Sequence, residues 1–255
     1  MVVQEKAFVD MEFGHVYGTK KLIYMPVEVG VLLYDPQKDS ISTSQKKIKK
    51  DIVIEMWKNT TDELKRTSGS TTSCANLIKG QYQLPYDEKY ILEMEELQPA
   101  LKVTWSAYSD LNTYLTKLTK DHHIQTMVFF SKRMEMAAFA RAKFDTKNLQ
   151  ILDIQEKIKD AMNMDKLLSL DRVSYALDID VSNNHFRSKN YDYSIQKTYA
   201  SKTKPHRALG DAARIFLAYK ELERSRDDIR STIREYFKDC RENPPENNKN
   251  RRLSP

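Results

Sequence analysis

Two acids stand two residues apart in FVDMEFG, Asp10 and Glu12, inside an otherwise apolar run. If that run is a β-strand, both carboxylates project from one face while Val9 and Met11 point to the other. Like charges held side by side repel, and burying them is costly unless a cation neutralises them. Oxygen ligands alone favour a hard divalent ion such as Mg²⁺ or Mn²⁺. The bare pattern is common: 36 acids in 255 residues give roughly five Asp/Glu-x-Asp/Glu triplets by chance. Its strand context is what raises this one.

The second chemical feature is KPHRALGDAARIFLAYKEL, residues 204–222. Pro205 and the small residues after it suit a helix start, and helical apolar spacing follows from Ala212. His206 stands at that start, with Asp211 about a turn further on. Histidine titrates near neutrality and can take a proton from water. A carboxylate can hold the metal that lowers the water's pKa. The plain alternative is an exposed histidine and a solvated aspartate on a helix.

Charge supplies a third signal. The chain carries 42 basic and 36 acidic residues, a net of +6 with a pI near 9.0. The excess concentrates between Arg187 and Arg207, where Arg187, Lys189, Lys202 and Lys204 alternate with aromatic residues including Tyr191. Cations neutralise phosphates and rings stack on unpaired bases, so the mixture suits a single-stranded nucleic acid. The alternative is a solvated loop whose tyrosines pack on the domain. A smaller cluster, Lys46, Lys47, Lys49 and Lys50, follows a Ser/Thr-containing stretch read as a turn.

These groups need elements to position them. The patterns predict strands at 7–12, 27–34 and 51–57, with Gly14, Gly18 and Pro26 punctuating the first connection. Residues 68–80 read as loop. Helical spacing covers 87–118, with Pro99 marking a start or break. Then follow a short buried strand at 126–130, a helix at 134–143 and a strand at 149–154. Helices are expected at 155–162, 169–177, 206–223 and 227–240. The order implies an α/β domain, a mixed sheet covered by helices, over residues 1–240. Residues 241–255 have almost no apolar content and read as a disordered tail.

Two cysteines, Cys74 and Cys240, make neither a disulfide framework nor a four-ligand zinc site. No apolar run of about 18 residues is present to span a membrane. The N-terminus lacks an apolar signal core, so a cytoplasmic location is expected.

FVDMEFG, the following PVEVGVLLYD and the later PHRALGDA together resemble the DEDDh 3′–5′ exonucleases, whose superfamily includes polymerase proofreading subunits, RNase T and oligoribonuclease. LDRVSYALDID, residues 170–180, is similar to the helix those proteins carry ahead of the histidine motif. The resemblance covers roughly residues 6–222. It implies an RNase H-like fold and a two-metal mechanism using Mg²⁺ or Mn²⁺. Asp10, Glu12 and Asp211 would ligate the metals, and His206 would be the general base. The turn after Glu12, Phe13 and Gly14, would lie near the terminal nucleotide of a single-stranded DNA or RNA 3′ end.

The middle motif departs from the family pattern. An aspartate in a His-Asn-x-x-Phe-Asp context is usual, whereas FFSKRMEMAAF places Glu135 at the matching position. Glutamate has the right charge with one more methylene; a shift of one residue would instead place Met134 there. Glu135 is thus either the fourth ligand or a solvated helix residue. That choice separates an active exonuclease from a nucleic-acid-binding protein that keeps the fold without efficient catalysis. A third reading is an adaptor or homo-oligomer assembled through the 87–118 helices.

Overall fold

A computed structural model describes residues 5–18, 21–48, 94–164, 166–182, 185–195, 203 and 207–242. Strands β1 (Lys6–Gly18) and β2 (Lys21–Asp35) form a long antiparallel hairpin, and β3 (Ser40–Lys47) extends it on the β2 side. Helix α1 (Met94–Asp121) leads to β4 (Thr126–Phe129), which pairs parallel with β1. Helix α2 (Arg133–Ala142) crosses to β5 (Gln150–Asp153), parallel with β4. The result is an α/β protein with a mixed five-stranded sheet, order β3-β2-β1-β4-β5, flanked by helices. Helices α3 (Ile154–Met162) and α4 (Leu170–Ala176) follow. A small ribbon, β6 (His185–Arg187) and β7 (Asp192–Ser194), then precedes α5 (Ala208–Arg224) and α6 (Arg226–Glu242).

Side-chain alternation divides the sheet into two apolar layers. On β1, Ala7, Val9, Met11 and Phe13 enter one core with residues of α1 and α2. Phe8 enters the other, with α3, α4, α5 and α6. On β2, Leu32 and Tyr34 share the Phe8 side. Asp10 and Glu12 alternate onto the same face as the α5 layer.

Helix α5 is buried along nearly its whole length. Phe216 and Tyr219 meet Phe8 edge-on at ring-centroid distances of 5.1 and 5.2 Å, locking the helix onto β1. At its start, backbone packs directly on β2. A Cβ on Gly30 would overlap Leu209 N and the carbonyl of Ala208, so only glycine admits the helix at this height. Gly30 is the register partner of Asp10. One missing side chain therefore brings the first turn of α5 down beside the first carboxylate.

Several expectations change. The first hairpin does not turn at Glu12: Phe13 pairs with Pro26 and Gly14 with Met25, and Phe13 is buried in the core. An exposed Phe13–Gly14 turn is thus corrected to strand. A register shift between Glu12 and Phe13 lets the strands continue past Pro26, which has no N–H to give to a regular ladder. The Ser/Thr stretch before Lys46 is strand β3 rather than turn, its polar alternation matching its place at the end of the sheet order among the described residues. Helix α1 runs through Pro99, giving up the bond a residue there would make to residue 95. The strand expected at 51–57, the loop at 68–80 and the tail beyond residue 242 lie outside the described residues.

Candidate metal centre

Strand β1 supplies Asp10 and Glu12, and the first turn of α5 supplies Asp211. One carboxylate oxygen from each forms a group whose members all lie within 4.8 Å of one another. Bringing these three oxygens onto one small cation needs a further inward movement of the carboxylates. Side-chain torsions can supply that. The donors are all hard oxygens, the set that suits Mg²⁺ or Mn²⁺ rather than softer metals.

The electrostatics show how unfavourable the group is without a cation. Burial, then the charges of Asp211, Glu135 and Glu12, hold the Asp10 carboxyl well above the usual aspartate range. Glu12 is pushed up to about 9, chiefly by burial and then by Asp211 and Glu28, against a lowering influence from Arg207. Protons or metal ions must supply the missing positive charge.

Glu135 stands in the first turn of α2, and is buried, whereas Met134 packs on the apolar core. The residue facing the site is therefore the glutamate. It lies outside the close group of three, yet its charge raises both Asp10 and Glu12. Burial pushes its own carboxyl up to about 7, opposed by its own backbone N–H and assisted by Asp153. Its Oε2 is buried and has no hydrogen-bond partner, alone in this among the described residues. A buried carboxylate oxygen without a partner, beside an acidic cluster, is one that could serve a cation.

Two further acids were not singled out from the sequence. Glu28, fully buried, pairs across the strands with Glu12. Arg207, the N-cap residue of α5, donates to it through Nε at 3.2 Å and Nη2 at 2.9 Å. Gln45 Nε2 also donates to Glu28, at 2.6 Å. This ion pair fastens the start of α5 to β2 near Glu12. Asp153 caps α3 by accepting from the backbone of Gln155 and Glu156, and also accepts from Ser131 and Lys132. It thereby holds the β4–α2 corner, where Ser131 has a left-handed φ of 64°, and sets where α2 and Glu135 begin. The capping pattern Asp153-Ile-Gln-Glu156 was the available signal for it.

The described part of the basic, aromatic stretch packs against the domain. Arg187 Nε donates to Asp192 at 2.9 Å, and His185 lies 3.0 Å from the same carboxylate. Tyr191 and Tyr193 stack on each other, and Lys220 sits over both rings and that of Tyr34. Lys189 donates its backbone N–H to Leu177. Buried Glu221 accepts from Ser188 Oγ and from the backbone and side chain of Asn190. Ten residues of helix separate Glu221 from Asp211, about 15 Å at 1.5 Å per residue. The ribbon therefore grips the far end of α5, and its tyrosines pack on the domain. Arg187, Lys189 and Tyr191 thus all make contacts within the domain. Lys202, Lys204 and His206 lie outside the described residues.

Among the described residues no helix is long and apolar enough to cross a membrane. No family model, curated protein or solved structure matches this chain.

Proposed function

We propose that this chain is a metal-dependent 3′–5′ exonuclease that releases nucleoside monophosphates from single-stranded DNA or RNA. The observation that carries the reading is the meeting of Asp10, Glu12 and Asp211, drawn from opposite ends of the sequence onto one face of the sheet. The sheet order and its mixed strand directions are compatible with an RNase H-like fold. Asp10, Glu12 and Asp211 would hold two Mg²⁺ or Mn²⁺ ions, with the unpartnered oxygen of Glu135 available to complete the set. When bound, the ions would lower the pKa of the attacking water and stabilise charge on the phosphate oxygens.

The protein's own share is position and proton transfer. The β1 strand fixes Asp10 and Glu12 side by side, and Gly30 lets α5 deliver Asp211 to them. His206 is assigned as general base: its imidazole takes the proton as water oxygen bonds to phosphorus. The bond from phosphorus to the 3′ oxygen of the preceding nucleotide then breaks. The terminal nucleotide leaves as a monophosphate, and the departing 3′ oxygen takes a proton from solvent to become the new 3′-hydroxyl. Arg207 is tied to Glu28 beside Glu12, which brings the start of α5 to the carboxylates.

A second reading, a nucleic-acid-binding module with weakened catalysis, is favoured by one observation. Glu135 lies outside the close group of three. End-labelled DNA and RNA oligonucleotides separate the two. The enzyme shortens them one nucleotide at a time from the 3′ end with Mg²⁺ or Mn²⁺ and not with EDTA. Asp10→Ala abolishes this while the circular dichroism spectrum is kept. Intact strands under both metals, with a mobility shift retained, would replace the enzyme by the binder.

A further inference from the structure

We propose that Arg214 is a positioning residue for this centre, orienting Asp211 and tying it to α4. The inference rests on reading Asp10, Glu12 and Asp211 as metal ligands. Arg214 lies one helical turn after Asp211, with its side chain only 5% exposed. Its guanidinium donates in three directions. Nη1 reaches Asp211 Oδ1 at 2.8 Å, Nη2 reaches Asp171 Oδ1 at 2.5 Å, and Nε reaches Ser174 Oγ at 2.8 Å.

Packing alone does not explain such a residue, since a buried ion pair gives no more stability than well-packed apolar side chains of similar volume. Geometry does. A planar guanidinium held at its other two corners presents Nη1 in a fixed direction, and a carboxylate bonded to it loses its freedom to rotate. Asp211 Oδ1 is therefore fixed, and with it the plane in which the carboxylate meets Asp10 and Glu12. Asp171 and Ser174 both belong to α4, and Ser174 is itself fixed by donating to the Leu170 carbonyl at 2.7 Å. The segment LDRVSYA thus bears on the site through Arg214. Lysine cannot reproduce this, having a point charge in place of a fork.

The test uses the full chain and Mn²⁺ as the probe, by titration calorimetry, alongside oligonucleotide degradation. Partners of metal-ligating side chains typically contribute 10–100-fold to affinity or activity. Arg214→Met and Arg214→Lys should both weaken Mn²⁺ binding by about tenfold or more on that scale, with kcat falling and KM for the oligonucleotide unchanged. Wild-type Mn²⁺ affinity in Arg214→Met overturns the proposal in favour of a purely structural role. Wild-type affinity in Arg214→Lys overturns it in favour of charge alone. Should Arg214→Met not fold, Asp171→Asn carries the same measurement: a weaker Mn²⁺ affinity supports the proposal and an unchanged one refutes it. If the wild-type protein binds no Mn²⁺, the exonuclease reading falls as well; if it binds and the variants match it, only the role of Arg214 falls.

Discussion

Replacing Glu135 with glutamine should change how stability depends on pH. Burial raises its carboxyl from the ordinary 4.5 to about 7. A raised acid pKa means that the native state holds more protons than the unfolded state between those values. Stability supplied by the neutral carboxyl is therefore present at low pH and falls as pH rises from about 4.5 through about 7, levelling off above. At 1.36 kcal/mol per pKa unit, the loss attributable to this group is about 3 kcal/mol between pH 4.5 and 8. Glu135→Gln cannot titrate, and its removal also relieves part of the pressure on Asp10 and Glu12. Urea denaturation of both proteins in EDTA across this range measures the difference. Any constant effect of the new amide cancels when the slopes are compared. Wild type should lose about 3 kcal/mol more than the variant over the range. Saturating Mn²⁺ should flatten the wild-type curve, since an ion bound only by the native state stabilises it. Parallel curves in EDTA would show that Glu135 is solvated and would remove it from the centre.

Gly30→Ala should destabilise the protein by about 3 kcal/mol or more, the upper part of the range for overpacking, because the new methyl meets backbone that cannot rotate away. A urea midpoint near wild type would contradict the close seating of α5. Arg207→Met leaves Glu28 buried without its cation and should cost about 3–5 kcal/mol. Adding Glu28→Gln should recover most of that, and a double variant no better than the single would show that the pair is not the fastening. Glu221→Ala removes the acceptor for Ser188 and Asn190. Hydrogen exchange should then quicken across 185–194 while the rate of nucleotide release stays unchanged. A large loss of that rate would place the ribbon in the substrate path.

The element types along most of the described chain are legible from periodicity, since strand and helix spacing survive where one face is buried. Boundaries in the first hairpin are not. Pro26 reads as a break in isolation, and only the shifted pairing with Phe13 lets the strand continue through it. The tyrosines of the basic stretch illustrate another limit. Alternating cations and rings have the same composition whether they stack on a base or on Lys220. Which occurs depends on what the fold places beneath them.

Local sequence determines that Asp10 and Glu12 share a face, because alternation along a strand is a property of the backbone itself. It also determines that Asp211 falls in the opening turn of a helix. That these acids meet is decided only in three dimensions. The absence of a side chain at Gly30 admits α5, the Arg207–Glu28 pair fastens its start, and Asp153 sets the corner from which Glu135 turns inward. Each of those contacts joins residues far apart in sequence. Their energies depend on distance and burial that no local pattern encodes, so the sequence names the acids while the tertiary structure alone brings them together.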